Sequence, residues 1–129
     1  MPVITLSNPS TVHGTGGRYS HAAVIEGAAR RVVISGQVGA RPDGSIVEEP
    51  AAQIRQALAN LGAVLAAHDM GPTNVVKIMT FLTDRAHMQT MREARMAFFG
   101  DHACASTLLI VSGLADPKYV FEIEAEAVA

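Results

Sequence analysis

From Phe121 to Ala127 the chain alternates without a break. Phe121, Ile123, Ala125 and Ala127 take every second place, and Glu122, Glu124 and Glu126 stand between them. Only an extended strand, with its two-residue side-chain period, sorts such a run into an apolar face and a carboxylate face. The three carboxylates then form a column, about 6.8 Å apart by strand rise. Glutamate is a poor strand former and neighbouring like charges repel. The segment is therefore the most unusual one in the chain and the first to weigh for chemistry.

The rest of the 129-residue chain is divided by turn chemistry. A short strand is expected at Val3–Leu6, then a loop over Ser7–Arg18 broken by Asn8-Pro9, Gly14, Gly16 and Gly17. Ala22–Glu26 and Arg31–Ser35 read as a hairpin around Gly27-Ala28-Ala29-Arg30. Val32-Val33-Ile34 is apolar on both faces, which predicts a central strand. Pro50 suits the first turn of a helix, and Ile54, Leu58, Leu61 and Leu65 recur at helical spacing up to a stop at Gly71-Pro72. Asn74–Leu82 is a strand rich in β formers, and Thr83-Asp84 caps a second helix striped by Met88, Met91, Ala94 and Phe98 and stopped by Gly100. Thr107–Val111 reads as a buried strand, and Tyr119–Val128 closes the chain. The order β-β-β-α-β-α-β-β predicts a single domain over 1–129, a mixed sheet with both helices on one face. The other face must meet water, a ligand or another subunit, and apolar residues on both faces of its strands favour a subunit.

Several classes of function fall away on composition. Hydrophobic residues make up 49% and charged residues 17%, against disorder. A net charge of −2 lacks the basic excess of a nucleic-acid binder. The single cysteine, Cys104, forbids an internal disulfide and a multi-cysteine zinc site. No apolar run approaches membrane-helix length, and Met1–Ser10 has no signal-peptide pattern, so a cytoplasmic protein is expected. The histidines His13, His21, His68, His87 and His102 show no metal-ligand spacing. Gly14-Thr15-Gly16-Gly17 precedes a strand, whereas a phosphate cradle opens a helix.

What remains is a short set of candidates. The carboxylate column reads either as a solvated face with cross-strand cations or as a place where one carboxylate orders a water as general base. Arg92 and Arg95 lie off the apolar stripe of the second helix, where solvated arginines are the ordinary reading, although guanidinium is the preferred carboxylate clamp. Arg18, in the glycine-rich loop before Tyr19, is a candidate for contact with a ligand or partner.

Read together, several segments resemble the Rid (reactive intermediate deaminase, YjgF-type) family. They are Gly17-Arg18-Tyr19-Ser20-His21-Ala22, Val33-Ile34-Ser35-Gly36-Gln37-Val38-Gly39, Gln53-x-x-x-Ala57-Leu58-x-Asn60-Leu61, Val76-Lys77-x-x-x-Phe81-Leu82-Thr83-Asp84, Ala97-Phe98-Phe99 and Glu122–Ala129. The resemblance implies a chorismate-mutase-like fold and a homotrimer whose sheets form a central barrel. It also implies clefts between subunits that bind small carboxylates, and hydrolysis of enamines and imines to 2-oxo acids and ammonia without metal or organic cofactor. By the same resemblance, Tyr19 matches the loop tyrosine, Ser35 and Gly36 match a Ser-Gly lining the cleft, and Glu124 matches the water-positioning glutamate. Aligned on Ser112-Gly113-Leu114, Ser106 stands where active members carry the arginine that clamps the substrate carboxylate. Arg92 or Arg18 would then have to supply that charge.

Three readings follow from the resemblance. The first is a deaminase-like hydrolase with Glu124 on the water, and Arg92 or Arg18 on the anion. The second is a non-catalytic trimer that binds a metabolite or protein, favoured by the loss of the family arginine. The third is an endoribonuclease, disfavoured by the net charge and the scarcity of aromatic residues.

Overall fold

Phe121, Ile123, Ala125 and Ala127 are all 4% exposed or less, so the apolar half of the alternating run lies in the core. The structure, a computed structural model, describes residues 3–129. Its strands are β1 (Val3–Ser7), β2 (Ala22–Glu26), β3 (Arg31–Val38), β4 (Val75–Leu82), β5 (Ala105–Ile110) and β6 (Phe121–Val128), and its helices are α1 (Pro50–Ala66) and α2 (Met88–Phe99). The main sheet has the order β3-β6-β4-β5. β6 runs antiparallel to both of its neighbours, and β4 and β5 are parallel. The parallel pair is joined through α2, as a crossover requires.

Both helices cover one face of this sheet, the expected mixed α+β arrangement. Ile54, Leu58, Leu61 and Leu65 of α1 pack with Ile34, Ile78, Leu82 and Ile123 in one core. Each fully buried aliphatic side chain contributes about 1.5–3 kcal/mol. α1 opens on Glu49, whose carboxylate accepts from the Ala51 and Ala52 amides. Those bonds hold the Glu49 carboxyl below its ordinary range. The helix ends at Ala66, before Gly71-Pro72, because Asp69 adopts a left-handed φ of 57° and Met70 N–H turns back to Leu65 O. Asp84 caps a short 3-10 turn, Arg85–His87, and α2 starts only at Met88.

Two expectations fail at the sheet's margins. Ala22–Glu26 and Arg31–Ser35 do not form a hairpin, since β2 pairs with β1 in a separate two-stranded ribbon. The ribbon's ends are fastened elsewhere. Ser20 N–H donates to Cys104 O beside β5, while Ala29 N–H and Arg30 N–H both donate to Ala129 O beyond β6. With β2 absent from its side, β3 is an edge strand and not a central one, and Val33 is 66% exposed. β5 is likewise an edge strand, with Leu109 and Ile110 exposed, and not a buried one. Sequence pattern reports an apolar strand but not which neighbour covers it.

Candidate active site

The glycine-rich loop and α2 build a recess against the start of β5. Ser20 is the fastening point: buried, it bridges to Ala105, and its Oγ donates to Ala103 O at 2.6 Å. That contact brings Arg18 and Tyr19 over the β5 edge. A cavity of about 350 Å³ there is lined by Arg18, Tyr19, Arg92, Arg95, Ser106 and Thr107, among others. Tyr19 Oη lies 3.2 Å from His13 Nε2, and its ring meets His21 edge-on. Arg95, half-buried on α2, sends Nη1 toward Ser106 Oγ at 3.5 Å and Nη2 toward Arg18 O at 3.4 Å. Burial lowers the pKa of the Arg95 guanidinium, and the nearby charges of Arg92 and Arg18 lower it further. Helical spacing alone marks Arg95 as a solvated surface residue, and the recess corrects that expectation. Its position four residues before Phe99, which anchors the buried side of α2, is the signal in the sequence that points to the recess.

A second locality forms across β3, β6 and β4. The β3–β6 register shifts between Ile34 and Gln37, which pair with Ala125 and Ile123. Ser35 and Gly36 thus stand together opposite Glu124, as a bulge outside the regular ladder. The Glu122 carboxylate lies against Gly36 so closely that a Cβ there would overlap it. Glycine is therefore required at 36 for that carboxylate to hold its place. In the sequence Glu122 is one of three equal members of the column, and only this contact distinguishes it. Glu124 faces Met79 across β4 and shares a recess of about 130 Å³ with Val33 and Lys77. Glu126 takes the ordinary role of a surface carboxylate, paired with Arg31 at 2.7 Å.

The candidate residues thus fall into two groups. Arg18, Tyr19, Arg92 and Ser106 share the β5–α2 recess. Ser35, Gly36 and Glu124 meet at the β3 bulge. Ser106 reaches Arg95 on the helix side of the sheet, while Glu124 aligns with Met79 on the side the helices leave open. Within one chain Glu124 and the arginines line separate recesses. Among the described residues, no three His, Cys, Asp or Glu side chains converge where a metal could sit. Among the same residues, no helix is long and apolar enough to cross a membrane.

Fold and recesses define a class by architecture: a two-layer α+β protein with an arginine-lined recess and a carboxylate beside an irregular strand. Known proteins with a similar sequence or fold narrow it. The sequence pattern of the family described as Endoribonuclease L-PSP matches residues 11–129. The human 2-iminobutanoate/2-iminopropanoate deaminase is 36% identical over 118 residues, covering 90% of this chain and 82% of that protein. A RutC family protein of Aquifex aeolicus is 30% identical, with 88% of each chain covered. Among solved structures, the Rid-family protein YyfB of Yersinia pestis superposes with a TM-score of 0.87 at 29% identity, covering 98% of each chain. The Escherichia coli YjgF gene product gives 0.71 at 32% identity, covering 85% of this chain and 87% of that one. This chain belongs to the Rid/YjgF (L-PSP) family.

Proposed function

We propose that the chain, acting as one domain over 1–129, hydrolyses small enamine or imine acids to 2-oxo acids and ammonia. Curated relatives at about 35% identity carry the name 2-iminobutanoate/2-iminopropanoate deaminase. The observation in this chain that carries the reading is the bulge at Ser35–Gly36, opposite Glu124 and beneath Glu122. A bulged strand leaves backbone N–H and C=O groups outside the ladder, available to a ligand, and a carboxylate at the same spot can hold a water.

The reaction balances with water as the only co-reactant. Water oxygen adds to the imine carbon, the carboxylate takes the proton released, and that proton passes to nitrogen. The hydroxyl of the resulting carbinolamine then gives up its proton, which the same carboxylate passes to nitrogen as the C–N bond breaks, leaving the 2-oxo acid and ammonia. Glu124 is the water-positioning residue we assign, with Glu122 its neighbour on Gly36. The substrate carboxylate is held by Arg92 and Arg18, with Tyr19 and Ser106 beside them. Ser106 occupies the place of the family's clamping arginine, and the loss of such a charge-assisted clamp is worth about 1.5–3 kcal/mol unless replaced. Since the two groups of residues lie on opposite sides of the sheet in one chain, the working cleft joins one copy's arginines to another copy's bulge, in a homotrimer. A cytoplasmic location with no nucleic-acid or membrane partner suits a metabolite enzyme of this kind.

A second reading, a trimer that binds a metabolite or protein without turning it over, is favoured by Ser106 alone. Ammonia release from freshly generated 2-aminoacrylate and from bulkier imino acids separates the two. Turnover above the buffer rate that falls about 10²–10⁴-fold in Glu124→Ala is the expected result. A fall of that size in Glu122→Ala, with Glu124→Ala unaffected, would move the water to Glu122. Absence of turnover from a folded protein on every imine would leave the binding role.

A further inference from the structure

Arg18, Arg92 and Arg95 line one recess, and among the described residues none of them has an acidic partner. The ion pairs there are Arg31–Glu126 and Lys118–Glu48, both elsewhere. The three guanidiniums are close enough that Arg92 and Arg18 disfavour the charge on Arg95, which burial already penalises. The ionisable group whose charge would offset Arg95 is the Cys104 thiol. Burial pushes it up to about 11, so it stays protonated and neutral at physiological pH. The remaining polar wall is hydroxyl, from Thr15, Tyr19 and Ser106, whereas the Thr107 hydroxyl accepts from Lys77 Nζ at 3.0 Å on the other face of the sheet. Arg95 has five N–H donors, and the two contacts it makes are long, at 3.5 and 3.4 Å. Like charges gathered in a half-buried recess, with donors unspent and no counter-charge, are stabilised by an anion entering between them.

We propose that Arg18, Arg92 and Arg95 form a site for a dianion, so that the preferred ligand is an imino or 2-oxo acid bearing a second acidic group. One carboxylate answers one guanidinium fork, and three guanidiniums leave charge for another carboxylate or a phosphate. The cavity, about 350 Å³, suits a molecule of four to six carbons with two acidic groups. Arg95 is central to it, because burial strips it of solvent and it reaches Ser106. The inference rests on the small-anion reading above for the ligand's first carboxylate, but it requires no turnover.

The test is equilibrium binding of stable 2-oxo acids by calorimetry at one ionic strength, with 2-oxoglutarate (two carboxylates) against 2-oxobutanoate (one). Inorganic phosphate serves as a competitor. The expected result is at least tenfold tighter binding of 2-oxoglutarate, competition by phosphate, and a collapse of the ratio to about twofold in Arg95→Gln. Arg18→Gln, in a loop, gives the same collapse if Arg95→Gln does not fold. Equal affinity for the two acids, or a ratio that survives both substitutions, overturns the proposal and leaves the arginines to face carboxylates of another copy. A retained ratio in a protein without imine turnover would sink the deaminase reading alone. Turnover with equal affinities would sink this one alone.

Discussion

Burial leaves Cys104 3% exposed and pushes its thiol from 9.0 up to about 11. The unfolded chain ionises this thiol from about pH 9 upward, whereas the folded chain keeps its proton to a higher pH. The resulting stability is fully present below the unfolded value and is lost as pH rises toward 11. A rise of that size corresponds to on the order of 2–3 kcal/mol. Urea denaturation between about pH 8 and 10.5 therefore declines more steeply for the native chain than for Cys104→Ala, and parallel declines would contradict a buried neutral thiol. In the sequence Cys104 reads as a buried structural thiol with no motif around it, and its burial agrees. Arg95 shows the opposite case. One residue type at one helical spacing fits a solvated surface as well as a recess, and only the loop carrying Arg18 closes over it.

Helix α1 is tied to the strand ends by two side-chain amides. Gln53 is fully buried, its Nε2 donates to Val47 O and Lys118 O at 2.9 Å each, and its Oε1 accepts from Val120 N–H at 2.7 Å. Asn60, two turns further on, donates from Nδ2 to Val38 O and Ala40 O. These two side chains satisfy backbone groups where the chain leaves β3 and approaches β6, which no strand partner can reach. Gln53→Leu keeps the volume but strands two carbonyls and an amide in the core. The expected cost is about 2–4 kcal/mol, read as a lower urea midpoint with an unchanged slope. A loss below about 0.5 kcal/mol would mean that water replaces the amide. Both residues belong to the segment that resembles the Rid family, yet nothing in their spacing says which carbonyls they serve. The same limit explains the missing β2–β3 hairpin. A short Gly27-containing link permits a hairpin, but Ala29 N–H and Arg30 N–H find a better-placed acceptor in Ala129 O.

At the scale of the whole molecule, one side of the main sheet carries the helices and the other carries Glu122, Glu124, Lys77, Met79 and Phe81 in partial exposure. Both edges, β3 and β5, are open to further pairing. Sedimentation equilibrium at micromolar concentration is expected to give the mass of three chains, and a monomer would remove the shared-cleft model. The sequence by itself determined which segments extend and which coil, because side-chain period and capping chemistry act within a few residues. It also determined the family, through the order of short motifs spread over the chain. Tertiary structure decided the rest. It made β3 and β5 edges, placed Glu122 on Gly36, and gathered Arg18, Arg92 and Arg95 over Ser106. Each of those outcomes depends on contacts between residues far apart in the chain. Local propensity carries no information about which distant surface will be there to meet a side chain.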